Sequence, residues 1–274
     1  MKTIDDIDVN NQRVLLRADL NAPMKQDANG VMQITDDGRL KASVTTINDL
    51  RKKNAKIVVL AHLGRPKGER KPELSLKPIA KRLGELVGTS ITFIDDLNGV
   101  DTLTIVNALK PGEIAMVENI RYEKDETSKD ATERQKLSKV LATLGDVFVI
   151  DGFGVVHREQ ASVTDIARLL PKAAGRLVQA EQKAFDKVLN NPVRPYVVVL
   201  GGSKVSDKLG VINNLISKVD KLLIGGGMAF TFLKAQGFEV GDSLLEVDRI
   251  DEVKQLIKTA QEKNVEIVLP VDVV

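Results

Sequence analysis

The sequence predicts an α/β protein of two domains with mainly parallel sheets, the second of them incomplete. Short apolar runs rich in Val, Ile and Leu alternate with amphipathic stretches of helical period, as parallel strands joined by crossover helices require. A length of 274 residues points to about two domains. The second half offers only about three strands, where about four to six are usual for a sheet.

The first strand opens the stretch Arg-Val-Leu-Leu-Arg-Ala-Asp-Leu-Asn-Ala-Pro at 13–23. It delivers Asp19 and Asn21 at its carboxyl end before Pro23 ends pairing, although both residues also suit a turn. Asn29-Gly30 and Asp36-Asp37-Gly38 read as turns. A helix follows with Leu40, Val44, Ile47 and Leu50 on one face and Arg39 in its first turn. A cation there opposes the helix dipole unless an anion binds nearby. The strand at 55–62 ends in His62-Leu63-Gly64-Arg65-Pro66, and a polar loop leads to a helix at 75–87. The same alternation gives a strand at 91–94, a helix at 101–109 and a strand at 113–119 running on to Arg121. A helix carrying Leu137, Val140, Leu141 and Leu144 precedes the strand at 146–151, which leads to His157 and Arg158.

Pro171 and Gly175 close this first domain, 1–175, and a charged helix at 176–190 connects it to the second, 191–274. There a strand at 196–200 enters Gly201-Gly202-Ser203-Lys204, and another at 221–225 enters Gly225-Gly226-Gly227. Helices at 228–236 and around 250–257 and a strand at 266–272 complete the alternation.

Bulk composition excludes several functions. Forty basic against 38 acidic residues leave a net charge of +2, so no strong global field draws nucleic acid or anionic membrane. With no cysteine there is neither disulfide nor thiolate chemistry, and two histidines make a His-rich metal site an unsuitable reading. The acidic start lacks a signal-peptide core, and no apolar run approaches the roughly 20 residues of a membrane span. A soluble, cytoplasmic protein is expected.

The placement of charge is the informative pattern. Four strands end in polar or basic groups: Asp19 with Asn21, His62 with Arg65, Arg121, and Arg158, with Arg39 joining from a helix start. If the strands are parallel, these ends share one edge, where α/β sheets bind ligands. Clustered guanidinium groups repel one another unless something anionic fills the space, and their planar forks suit phosphate and carboxylate. A small phosphorylated acid is the expected ligand. In the second domain the segment Gly201 to Lys208 follows a strand and opens a helix, placing Lys204 and Lys208 one helical turn apart where nucleotide phosphates could bind. Gly225-Gly226-Gly227 fits either close nucleotide contact or a tight turn. Neither the P-loop nor the dinucleotide fingerprint occurs, which disfavours a nicotinamide dehydrogenase.

These segments, together with Thr35-Asp-Asp-Gly-Arg39, Glu118-Asn-Ile-Arg121 and the run from Ile224 to Leu233, resemble phosphoglycerate kinase in the family's own order, ending at Leu269-Pro-Val-Asp272. The resemblance implies two Rossmann-like domains facing a cleft and a monomer. It implies that Asp19, Leu20, Asn21, Arg39, His62, Leu63, Gly64, Arg65, Arg121 and Arg158 hold 3-phosphoglycerate. Gly201, Gly202, Ser203, Lys204, Lys208, Gly225, Gly226 and Gly227 would meet ATP or ADP, with Arg39, Lys204 and Lys208 as catalytic candidates. Magnesium would arrive with the nucleotide, its protein ligand lying in further sequence that the family has past Asp272; none is assigned here. On this resemblance the chain reads as a fragment expected to bind substrate without efficient phosphoryl transfer, or as a shortened non-catalytic paralogue. Asp165, where the family often has Gly, is a carboxylate that would weaken anion binding if it faced the cleft.

Overall fold

The computed structural model describes residues 1–30 and 32–273, and the chain divides into two units, Met1–Lys183 and Ala184–Val274. The first unit runs β1 (Arg13–Ala18), β2 (Met24–Gln26), β3 (Met32–Ile34), α1 (Gly38–Lys52), β4 (Lys56–Leu60), α2 (Lys77–Val87) and β5 (Ile91–Ile94). It continues with α3 (Thr102–Ala108), β6 (Ile114–Val117), α4 (Ala131–Ala142), β7 (Val147–Asp151), β8 (Lys172–Ala174) and the start of α5 (Arg176–Asn190). Six of these strands form one sheet in the order β5-β6-β4-β1-β7-β8, parallel at every pairing.

Both faces of this sheet are buried, and the strand period of two sorts each strand between them. Val14, Leu16 and Ala18 join Ile57 and Val59 against Leu40, Ile47 and Leu50 of α1 and Ile79 and Leu83 of α2. Leu15, Val58, Leu60 and Phe148 face the other way, against Val106 of α3 and Leu137 and Leu141 of α4. Full burial stabilises each such side chain by about 1.5–3 kcal/mol, which is how an all-parallel sheet holds together.

The second unit contains β9 (Val197–Gly201), α6 (Leu209–Leu215), β10 (Lys221–Gly225), α7 (Met228–Ala235), α8 (Ile250–Glu262) and β11 (Glu266–Val268). Its three strands are parallel in the order β11-β10-β9. Ile212, Leu222, Ile224, Phe232, Val253 and Leu256 form its core. On the edge strand β9, Val197 and Val199 are 43% and 71% exposed, so one sheet face lacks a covering layer among the described residues. No helix among those residues is long and apolar enough to cross a membrane.

Two elements differ from the sequence reading. On either side of the expected turn at Asn29-Gly30, β2 and β3 pair antiparallel where no strands were expected, and β8 adds a parallel edge strand where only the close of the domain was expected. Each of these strands is three residues long, too short for a period of two to register, and the Lys-Ala-Ala of β8 lacks branched residues.

The helix α5 is seated on the end of β7. The buried carboxyl of Asp151 accepts the amide of Leu177 at 2.9 Å, and burial pushes its pKa up to about 6. Arg176 fixes the same turn by donating from Nε to Asp49 at 2.9 Å and from Nη2 to Asp5 at 2.8 Å. The boundary between the units falls inside α5, between Lys183 and Ala184. Gly175 admits the close approach: a Cβ there would overlap the carboxyl of Asp151. Gly175→Ala is therefore expected to destabilise the first unit by about 1–3 kcal/mol, as overpacking does elsewhere. Urea unfolding followed by circular dichroism measures this, and an unchanged midpoint would show that Asp151 can move aside freely.

Candidate active site

The four strands β6, β4, β1 and β7 are consecutive neighbours, and because all are parallel their carboxyl ends lie along one edge. At the usual spacing between strands those ends span roughly 14 Å. The chain lays β4 on one side of β1 and later crosses to lay β7 on the other, so the reversal that opens a ligand crevice falls beside β1. Past these ends come Asp19 to Asn21, His62 to Arg65, Arg121, and the segment from Gly152 to Arg158, with Arg39 in the first turn of α1.

Hydrogen bonds tie the segments together. Arg39 Nη1 lies 2.8 Å from both carboxylate oxygens of Asp19. Asn21 Oδ1 accepts the amide of Gly64 at 2.8 Å, and Arg121 Nη1 donates to the Gly64 carbonyl at 2.8 Å, so the loop after β4 is clamped from both sides. Gly64 is required there: its φ is +61°, and a Cβ would meet Leu74 Cδ2 at 2.7 Å. The side chains of Leu20 and Leu63 are packed into the core, at 0% and 2% exposure, which leaves only their backbone to face a ligand.

The electrostatics show how closely the cations gather. Burial, then the charges of Arg17, Arg121, Arg158 and Arg39, push His62 down to about 2, so its ring is neutral at physiological pH. Burial, then Arg158 and Arg17, lower Arg121 to about 10, with Glu126 opposing and Arg65 adding to the repulsion. Arg65, Arg121 and Arg158 make no ion pair among the described residues, and Arg121 Nε is buried without a partner. The structure thus brings Asp19, Asn21, Arg39, His62, Gly64, Arg65, Arg121 and Arg158 to one edge of the first unit.

The sequence reading missed Arg17. It is fully buried, and its guanidinium contacts Ser162 Oγ at 2.9 Å, the Ala18 carbonyl at 2.6 Å and His62 Nδ1 at 3.1 Å. The signal was an arginine inside Val-Leu-Leu-Arg-Ala, an apolar run with no place for an unpartnered charge. Asp165 does not face the cations: it is 2% exposed and accepts from Arg134 Nε at 2.9 Å, forming a buried ion pair.

In the second unit the carboxyl ends of β9 and β10 are paired through Gly201 and Gly225. The two glycine segments touch: at Gly226, φ +66°, a Cβ would meet Gly202 N and O at 2.9 Å, and the Met228 amide donates to the Gly202 carbonyl at 2.9 Å. Glycine is therefore needed at 226 for contact between loops, whether or not a ligand approaches. Ser203, Lys204 and Lys208 lie in the turn ahead of α6, which begins only at Leu209, so the two lysines do not share a helical turn. Glu246 secures that turn, accepting from the Ser206 amide at 3.0 Å and hydroxyl at 2.6 Å.

A concavity of about 1070 Å³ lies elsewhere in the first unit, beside β3 and between α1 and α2, with Asp37 already paired to Lys41 and Arg82 in its wall. Among the described residues no group of three or more His, Cys, Asp or Glu could hold a metal ion. These side chains alone therefore do not fit a dedicated magnesium site, and magnesium generally relies on substrate phosphates with one or two carboxylates.

The family model described as phosphoglycerate kinase matches residues 4–274. Phosphoglycerate kinase of Bifidobacterium longum subsp. infantis is 55% identical over 275 residues, covering 100% of this chain and 67% of that protein. The Clavibacter michiganensis enzyme of the same name is 53% identical with the same coverage. Among solved structures, phosphoglycerate kinase from Coxiella burnetii superposes with a TM-score of 0.83 at 39% identity, covering 99% of this chain and 66% of that one. That from Pyrococcus horikoshii gives 0.78 at 30% identity, with 99% and 67% covered. The chain spans about two thirds of the length of these relatives and, with the parallel sheets and ordered motifs they share, it belongs to the phosphoglycerate kinase family of phosphotransferases.

Proposed function

We propose that the basic edge of the first unit seats 3-phosphoglycerate or 1,3-bisphosphoglycerate, that the glycine loops of the second unit seat ADP or ATP, and that the chain serves reversible phosphoryl transfer between them in glycolysis and gluconeogenesis. The reading carries the cytoplasmic, monomeric setting expected from the sequence. The observation that supports it best is the set of guanidinium groups left without acidic partners around a neutral His62. Such a cluster is costly when empty and is relieved by a ligand with several anionic oxygens.

The chemistry asks for little beyond charge and position. An ADP oxygen attacks the phosphorus of the acyl phosphate, the bond from phosphorus to the acyl oxygen breaks, and that oxygen leaves as a carboxylate. In reverse the carboxylate attacks, already ionised at neutral pH, so no general base is needed. Arg39, Lys204 and Lys208 are proposed to stabilise the transferring group, as phosphoryl transfer demands. Arg65, Arg121 and Arg158 are proposed to hold the glycerate phosphate, and Asp19 and Asn21 to accept from its hydroxyl. Magnesium, carried by the nucleotide phosphates, would supply further charge neutralisation when bound.

Isothermal titration of 3-phosphoglycerate into the chain is expected to show salt-sensitive binding. Arg65→Ala and Arg158→Ala should each weaken it by about 1.5–3 kcal/mol, the worth of a hydrogen bond to a charged group. Absence of binding by the unaltered chain at low salt would overturn the reading. Binding without turnover in a coupled phosphotransfer assay would support the non-catalytic alternative.

His62 also makes a prediction about pH. Its pKa in the folded chain is near 2, whereas in the unfolded chain it is about 6.5, so the unfolded state alone takes up this proton between those values. The contribution is complete above about pH 6.5 and is lost on acidification, with a slope approaching about 1.4 kcal/mol per pH unit. Asp151, raised to about 6, acts in the opposite sense and is common to both proteins compared. Urea midpoints of the wild type and His62→Gln should therefore converge between pH 6.5 and 5; parallel profiles would contradict the neutral buried ring.

A further inference from the structure

Behind the basic edge, on the face of the sheet opposite Val14 and Leu16, runs a chain of four buried polar groups. Arg17 follows Leu15 on β1 with the period of two, and His62 follows Leu60 just past β4, so both point to the same face from adjacent strands. Glu126 and Ser162 meet Arg17 there, both fully buried.

The donors and acceptors in this chain run in one direction. Both oxygens of Glu126 are used, Oε2 accepting the Ser162 amide at 2.9 Å and Oε1 accepting the Ser162 hydroxyl at 2.6 Å. The hydroxyl has one proton, and once it is given to Glu126 only lone pairs remain to face Arg17 Nε at 2.9 Å. Arginine has no acceptor, so Arg17 Nη2, 3.1 Å from His62 Nδ1, must donate to it. Nδ1 is then an unprotonated acceptor, and a neutral imidazole must carry its hydrogen on Nε2. Nε2 has no hydrogen-bond partner among the described residues and is not among the polar atoms sealed from solvent, so it is available on the open side.

We infer that Glu126 and Ser162 are positioning residues: through Arg17 they hold His62 as the Nε2–H tautomer, so that the ring offers a neutral donor to a ligand oxygen. This rests on the reading of the edge as a seat for a phosphorylated acid, but the tautomer itself is a property of the free protein. Donation from a neutral ring distinguishes His62 from the arginines around it, because it orients an oxygen without adding to their mutual repulsion. Glu126 serves the same end: burial pushes its own carboxyl up while Arg17 and the Ser162 hydrogen bonds draw it back down, and it in turn holds up the pKa of Arg17, which burial lowers first.

The chain has only two histidines, His62 and His157, so long-range proton–nitrogen NMR spectra of the protein labelled with 15N at histidine are assigned by comparison with His62→Gln. In the free wild-type protein at neutral pH, His62 is expected to show a pyrrole-type Nε2 and a pyridine-type Nδ1. Ser162→Ala and Glu126→Gln should each move it toward a mixture of tautomers while His157 stays unchanged. In titrations they should weaken 3-phosphoglycerate binding about tenfold, and Ser162→Thr, which keeps the hydroxyl, should restore both readouts. A wild-type His62 that is protonated, or carries its hydrogen on Nδ1, overturns the inference even if the variants do not fold. An unchanged tautomer in a folded Ser162→Ala protein overturns it as well. Failure of the wild type to bind 3-phosphoglycerate, with the tautomer as expected, removes the proposed ligand and leaves the positioning chain standing.

Discussion

The parallel alignment of β6, β4, β1 and β7 is the constraint on which the rest depends. Parallel pairing places four carboxyl ends side by side, and residues as far apart in sequence as Arg17 and Arg158 come close enough to repel one another. Pairing of this kind needs both faces of the sheet covered, which the two apolar clusters achieve. The functional edge is thus a by-product of burying the strands between two layers of helices.

What gathers at that edge opposes folding. Guanidinium groups without acidic partners repel one another, and a fully buried Arg17 carries a heavy desolvation cost. The structure answers in two ways. Around Arg17 it supplies a compensating buried carboxylate and a hydrogen-bond partner for each guanidinium nitrogen. At the open edge it leaves Arg65 and Arg158 free of ion pairs among the described residues, so their guanidinium groups are available to an anion. The contrast between a neutralised interior and a frustrated rim separates structural charges from those available to a ligand.

Much of this was legible in the sequence because the informative residues sit at strand ends, where an apolar run breaks into Asp, Asn, His or Arg. The order of strands and helices was readable for the same reason. The hairpin β2–β3 and the edge strand β8 were not, since three residues cannot display a period and their pairing is decided by neighbours. Glu126 was hidden in the charged stretch Lys-Asp-Glu-Thr, where nothing local distinguishes a buried carboxylate from a solvated one. Asp165 is the converse case: its character depends on Arg134, thirty-one positions away in sequence, which folding alone brings to it. In the second unit the spacing of Lys204 and Lys208 suggested a helical turn, but α6 starts only at Leu209, and Ser206 in the intervening turn is held by Glu246, forty positions away in sequence.

Asp151 stands where two tasks meet. It is the last residue of β7, directly ahead of the segment that carries His157 and Arg158, and its carboxyl also grips the first turn of α5. A single residue is thus both doorstep to the basic rim and collar of the outgoing helix, so a substitution at Asp151 disturbs both at once. Gly175, by having no side chain, leaves room for that shared footing.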